Sequence, residues 1–245
     1  MSLNDITDIT PDMSAIIILT AALLPAILLW LYICMKDPQP EPLSQLAKAT
    51  IWGMALCIPV GVLEVVIEAI MFSDGPTSLL GTTANAFFVA AIPEESCKLL
   101  ALWLVLRKNP YFDEHYDGIV YAVCVGLGFA AVENVFYVFG NEDWMSVAIA
   151  RSLLAVPGHY AFAILMGYYY SLYHFVDRSP RNAICVLLVP VLAHGIYDAI
   201  AMSGTVNAIA GGLSTIIIIY FCIKMHKVAH KKITAHIQRD ADNKA

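Results

Sequence analysis

Glu94 and Glu95 stand side by side inside an apolar stretch, with Lys98 one turn further on. Further along the chain, His159 follows Arg151 by about two helical turns, and His194 precedes Asp198 by one. Glu133 and Asn134 sit among the small residues Gly126, Gly128, Ala130 and Ala131. Carboxylates and imidazoles of this kind can take a proton from water, hold an oxyanion and return a proton to a leaving group. They can do so directly, or through a zinc ion held by Glu95, His159 and His194, because three N or O ligands with one open position define a catalytic zinc site. Both routes stay open at this level.

Helical spacing sorts these groups. Glu94 and Lys98 are positioned to neutralise one another, while Glu95 points about 100° away around the helix and is left for chemistry or a ligand. His194 and Asp198 share a face, so the carboxylate can orient the imidazole. Gly126, Ala130, Glu133 and Tyr137 share another, where Glu133 and Asn134 read equally well as interhelical hydrogen-bonding groups or as support for the site. A lone histidine in a helix is more often a satisfied core residue than a functional one, so His159 gains meaning only from its company. Glu64 and Glu68, one turn apart, have no evident partner and read as water-facing or structural. The chain contains no HExxH, GxGD or GxSxG string, which removes the motifs of zincin, aspartyl and serine-nucleophile hydrolases.

These residues need elements that can hold them in an unusual solvent. Of the 245 residues, 59% are hydrophobic and 14% charged, and the mean hydropathy is +0.70. Soluble domains carry roughly 45–50% apolar and about 25% charged residues, so this chain belongs in lipid. The six cysteines all fall in or beside apolar stretches without metal-knuckle spacing and read as small core residues. With a formal charge of −6 and no soluble domain, no nucleic-acid partner is expected; the lipid bilayer is.

A membrane-crossing helix needs about 20 mainly apolar residues. The sequence offers about seven such stretches, near 14–35, 50–72, 85–106, 119–139, 146–173, 183–202 and 206–223. The expected fold is therefore an all-α, polytopic transmembrane helical bundle forming a single integral membrane domain over 1–245, with its motif-bearing core at 93–198. A basic cytoplasmic tail is expected over 224–245. The first stretch lacks a cationic lead and a small-residue cleavage site and reads as a retained helix. Lysines and arginines follow stretches one, three, five and seven, whereas the N-terminus and intervening loops carry acids. By the positive-inside rule the chain starts outside and ends inside.

Ionisable groups in such helices cost roughly 2.5–3.5 kcal/mol each at the bilayer centre and demand a partner or a task. At 1.5 Å per residue, Glu95, His159 and His194 each lie roughly 13–20 Å below the outer ends of their helices, so they meet at one level. Each candidate also closely follows a proline: Pro93, Pro157 and Pro190. Proline frees a backbone carbonyl, which is tolerated at membrane depth only where protein or water covers it.

Taken together, Glu94-Glu95-xx-Lys98, the string Phe112-Asp113-Glu114-xx-Asp117-Gly118-Ile119-Val120-Tyr121, Glu133-Asn134-xx-Tyr137, His159 and His194-xxx-Asp198 resemble the PrsW family of intramembrane proteases. The run covers about Pro93 to Asp198. It is also similar to the wider superfamily containing the type II CAAX prenyl proteases, from which it departs in carrying Lys98 where that pattern keeps an arginine one residue later. The resemblance implies that Glu94 and Glu95 include the water-activating carboxylate, that His159 assists or binds metal, and that His194 with Asp198 forms the last element. It implies a bacterial cytoplasmic membrane and a membrane-anchored protein substrate such as an anti-sigma factor. It does not decide between a zinc enzyme and a metal-free one. Asp113, Glu114 and Asp117 read as helix-capping groups.

Two other classes place similar residues in a membrane: a proton- or ion-coupled transporter, and an inactive scaffold that binds a partner helix through the glycine-rich face at Gly126 and Gly128. No inverted repeat is visible to favour the first.

Overall fold

The helix α5 (His115–Phe139) is the axis of the bundle, with every residue from His115 to Ala131 buried. The computed structural model describes residues 11–203 and 208–243, and among these it contains helices and no strand. Around α5 lie α1 (Pro11–Met35), α2 (Leu43–Met71), α3 (Leu79–Asn85), α4 (Ile92–Leu106), α6 (Trp144–Ala150), α7 (Val156–Ser171), α8 (Pro180–Ser203) and α9 (Ala208–Asp242). A π-helical turn, Ala86–Ala91, joins α3 to α4, another, Arg151–Ala155, joins α6 to α7, and a third, Leu172–Val176, extends α7. The described residues thus form seven continuous rods that coincide with the seven expected stretches. The protein is an integral membrane protein: α1, α2, α5, α8 and the rod Trp144–Val176 are long and apolar enough to cross a membrane. Of the other two, the rod ending at α4 carries Glu94, Glu95 and Lys98, and Val206, the expected start of the last stretch, lies outside the described residues.

Lipid gives helices no hydrophobic reason to associate, so close packing does the work, and small residues permit it. A Cβ on Gly128 would stand 2.2 Å from the Thr50 carbonyl oxygen of α2, and one on Gly53 would stand 2.0 Å from that of Val125. The same reciprocity joins α5 to α7, where a Cβ on Gly118 would meet Ser171 Oγ at 2.0 Å and one on Gly167 the Gly118 oxygen at 2.2 Å. These contacts lock α2 and α7 against α5. Large apolar side chains such as Leu28, Ile51, Ile58, Val62 and Ile70 point outward on α1 and α2.

Two differences from expectation have clear causes. α2 begins seven residues early, at Leu43, because Leu46 and Ala49 extend its buried stripe back to Pro42; Lys48 is therefore helical. The segment from 224 onward continues α9 to Asp242, with Ala229, Ile233, His236 and Asp240 buried at intervals of one turn. Asp240 accepts from the backbone N–H groups of His115 (2.8 Å) and Tyr116 (2.9 Å), the orphan donors of the α5 N-terminus. Asp117 completes that cap by accepting from the N–H groups of Asp113 and Glu114. Gln39 bonds Glu114, Tyr121 bonds Glu41 and Phe112 packs on His174, so the loops expected on one side of the membrane do gather at one end of the bundle.

Candidate active site

Toward the opposite end, two prolines and two π-helical turns aim the polar groups. Pro93 and Pro157 cannot donate to the carbonyls of Val89 and Leu153 four residues earlier, and each of those carbonyls lies in a π-helical turn. Accommodating one extra residue rotates the downstream helix by roughly 100°, which re-aims Glu94 and Glu95 on α4 and His159 on α7. Pro190 lies inside α8 one turn before His194.

These side chains form one unbroken chain of contacts. Arg151 donates from Nη2 to Glu133 Oε2 (2.8 Å) and from Nε to Asn134 Oδ1 (2.6 Å), while Asn134 donates to the Ala22 carbonyl of α1 (2.6 Å). The same Glu133 Oε2 lies 2.8 Å from His159 Nε2. His159 Nδ1 lies 3.2 Å from the Lys98 ammonium, which also donates to Glu94 Oε2 and Glu95 Oε1, both at 2.8 Å. Glu95 Oε1 lies 2.9 Å from His194 Nδ1, and His194 Nε2 lies 3.2 Å from Asp198 Oδ2. All the residues singled out in the sequence as catalytic or supporting are thus brought together: Glu94, Glu95, Lys98, Glu133, Asn134, His159, His194 and Asp198.

Their roles in the geometry differ from expectation at one point. Lys98 does not neutralise Glu94 alone and leave Glu95 free; it bonds both carboxylates, because positions three and four residues apart both fall within reach of its long side chain. Glu94, with His159 and His194, lines a cavity of about 590 Å³, whereas Glu95 is fully buried behind it, with Oε2 lacking a partner among the described residues. One donor atom from each of Glu94, His159 and His194 lies within 4.8 Å of the others. The set expected in the sequence had Glu95 in place of Glu94. Glu64 and Glu68 line the same cavity, so they face the site from α2.

The group has the chemistry of a divalent-metal site: two nitrogens and one oxygen, buried, with Glu133 behind the His159 ring as an orienting carboxylate. Charge counting agrees. Within the ion-paired group, Glu94, Glu95, Glu133 and Asp198 meet Lys98 and Arg151 as the permanent cations among the described residues, an excess of two negative charges that a divalent ion or two imidazolium rings would balance. Lys98 is the cation that a metal would have to displace from Glu94 and His159.

Four contributors were not singled out by sequence reasoning as site residues. Arg151 clamps Glu133, and Tyr137 lies under its guanidinium at 4.0 Å. Phe162 stacks on the His194 ring, with centroids 4.9 Å apart, and Phe129 lies under the Lys98 ammonium at 4.4 Å. For Arg151 the signal was present, a cation inside an apolar stretch. The phenylalanines carry none, because in this composition an aromatic residue is unremarked.

Residues 41–225 match the family described as PrsW family intramembrane metalloprotease. The chain belongs to the PrsW family. It is 34% identical over 183 residues to Protease PrsW of Geobacillus kaustophilus, covering 74% of this chain and 78% of that one. It is likewise 34% identical over 187 residues to Protease PrsW of Clostridioides difficile (74% and 77% covered), and 33% identical over 186 residues to that of Bacillus subtilis (75% and 82% covered). No solved structure matches it. As a PrsW-family member the protein is an intramembrane protease, and its buried Glu94, His159 and His194 are a group able to bind a metal.

Proposed function

We propose that the protein hydrolyses a peptide bond in a membrane-anchored protein, of the anti-sigma-factor kind, at the cavity where Glu94, His159 and His194 meet. The observation that carries this reading is the convergence of those three buried donors, within 4.8 Å, on one wall of a cavity. Glu94 is the general base: it takes a proton from water as the water oxygen attacks the scissile carbonyl, and returns it to the amine nitrogen as the C–N bond breaks. His159 and His194 stabilise the oxyanion. Glu95 positions His194 through Nδ1 and Glu133 positions His159 through Nε2, while Asp198 meets His194 Nε2 from the cavity wall and yields it to the oxyanion, and Lys98 bridges the two adjacent glutamates. A zinc ion held by His159, His194 and one oxygen of Glu94 would polarise the carbonyl and acidify the attacking water, leaving the other carboxylate oxygen to take its proton. The chain lies in a bacterial cytoplasmic membrane with its N-terminus outside and the α9 end inside, consistent with the basic residues beside the end where Asp240 caps α5.

The test is cleavage of a single-span substrate by the full-length protein in liposomes. His194→Ala is expected to abolish cleavage and Glu142→Ala, in an exposed loop, to leave it intact. Full cleavage by His194→Ala would contradict the reading.

A further inference from the structure

The α2 and α5 helices are pinned where Gly53 and Gly128 cross, and beyond that crossing a groove of about 490 Å³ opens between them. Ile58, Val62 and Val65 of α2 and Phe136 and Tyr137 of α5 line it, all outwardly exposed. A groove open through exposed apolar side chains on a membrane protein opens to lipid, not to water. It runs inward to Glu94, and it shares Gly61, Glu64, Glu94 and Glu133 with the larger cavity, so the apolar surface and the hydrolytic carboxylate are connected.

The charges along this path are one-sided. Glu64, Glu94 and Glu133 line the groove, and among the described residues no lysine, arginine or histidine does. Glu133 and Glu94 have cationic partners behind them, but one oxygen of Glu64 is buried without a hydrogen-bond partner among the described residues. A carboxyl group at membrane depth is costly to ionise without a cation beside it, and an incoming cation would offset that cost. By contrast, a second apolar groove, between α1 and α2 at Ile27, Trp30, Ile51 and Met54, reaches no carboxylate.

We propose that the groove between α2 and α5 is the lateral entry for the substrate's membrane-spanning segment, and that Glu64 selects a segment bearing a lysine or arginine beside its scissile bond. This rests on the reading of Glu94 as the water-activating base. The segment slides in from lipid along Val62 and Val65, and its cation pairs with Glu64 as its backbone reaches Glu94. Gly61 keeps the path open: a Cβ there meets nothing within 4 Å, so a larger side chain fills the groove without disturbing the fold.

The test uses full-length protein in liposomes with a single-span substrate carrying one flanking lysine. Gly61→Trp is expected to lower cleavage at least tenfold, and Ile51→Trp, on the other groove, to leave it unchanged. A photo-crosslinking residue at Val65 is expected to capture substrate, also in a Glu94→Gln background, and one at Ile51 to capture none. Replacing the substrate lysine by glutamine is expected to slow the wild type about tenfold and Glu64→Gln hardly further. Cleavage by Gly61→Trp within twofold of wild type, capture as strong from Ile51 as from Val65, or equal sensitivity of wild type and Glu64→Gln to the lysine would overturn the proposal while leaving hydrolysis at Glu94 standing. Undiminished cleavage by Glu94→Gln would instead remove the hydrolytic reading itself.

Discussion

His159 Nε2 lies 2.8 Å from Glu133 Oε2, an oxygen that also accepts from Arg151, so a carboxylate on one helix fixes a histidine on another and turns its Nδ1 toward Lys98 and Glu94. The imidazole therefore has one orientation, and its Nδ1, 3.2 Å from the Lys98 ammonium, is the nitrogen for which a ligand or an oxyanion would compete.

Loosening that hold should reduce activity without removing the histidine. Glu133→Gln is expected to lower kcat/KM by about 10–100-fold, the usual cost of losing a carboxylate behind a functional histidine. Arg151→Ala, which leaves Glu133 in place but unclamped, should cost less. Steady-state cleavage kinetics of the two variants check the order; equal or reversed losses would mean that Arg151 acts on substrate instead.

The competition between Lys98 and a metal gives a readout independent of cleavage. Purified protein is expected to hold about one zinc per chain, His159→Ala to hold none, and Lys98→Met to retain zinc at chelator concentrations that strip the wild type, because the ammonium no longer occupies Glu94 and His159. Metal analysis after graded chelation measures this. Zinc retention unaffected by either substitution would place the metal elsewhere.

At the far end of α9, burial pushes the His236 imidazole down to about 4, with the neighbouring His115 and Arg239 acting in the same direction against the Tyr168 carbonyl and Asp240. The ring stacks on Tyr168 at 4.4 Å. A group whose folded value is depressed stabilises the fold fully above its ordinary value of about 6.5 and loses that contribution as pH falls toward 4. Thermal unfolding in detergent should therefore show Tm falling between pH 6.5 and pH 4, and falling less in His236→Gln. Identical slopes would contradict the assignment.

Packing at the glycine crossings admits no side chain. Gly128→Val drives a Cβ into the Thr50 backbone and is expected to destabilise the protein by about 1–3 kcal/mol or more, whereas Gly61→Ala, with open space around it, should leave Tm unchanged. A Gly128→Val protein as stable as wild type would show that α2 can move away from α5.

Much of this was legible in the sequence because lipid makes every buried charge conspicuous. Glu94, Glu95, His159 and His194 could be named, and placed at one depth, from a 1.5 Å rise and the ends of apolar stretches. Which glutamate faces the cavity could not, since that depends on the π-helical turn at Ala86–Ala91, and periodicity counted at 3.6 residues per turn cannot register an inserted residue. The reach of Lys98 to both glutamates was equally hidden, because spacing gives neighbours and not rotamers. The α9 extension was read as a tail from its lysines alone; its buried stripe of Ala229, Ile233, His236 and Asp240 is too polar to stand out by hydropathy, yet it docks on the α5 N-terminus through Asp240.

The most direct measurement compares single-turnover cleavage of a single-span substrate by Glu94→Gln and Glu95→Gln in the same liposomes. Because Glu94 reaches the cavity and Glu95 only positions His194, Glu94→Gln is expected to slow the chemical step by roughly 10²–10⁴-fold and Glu95→Gln by markedly less. A Glu94→Gln protein that cleaves within tenfold of wild type, or a Glu95→Gln protein that is the more impaired of the two, would contradict the account.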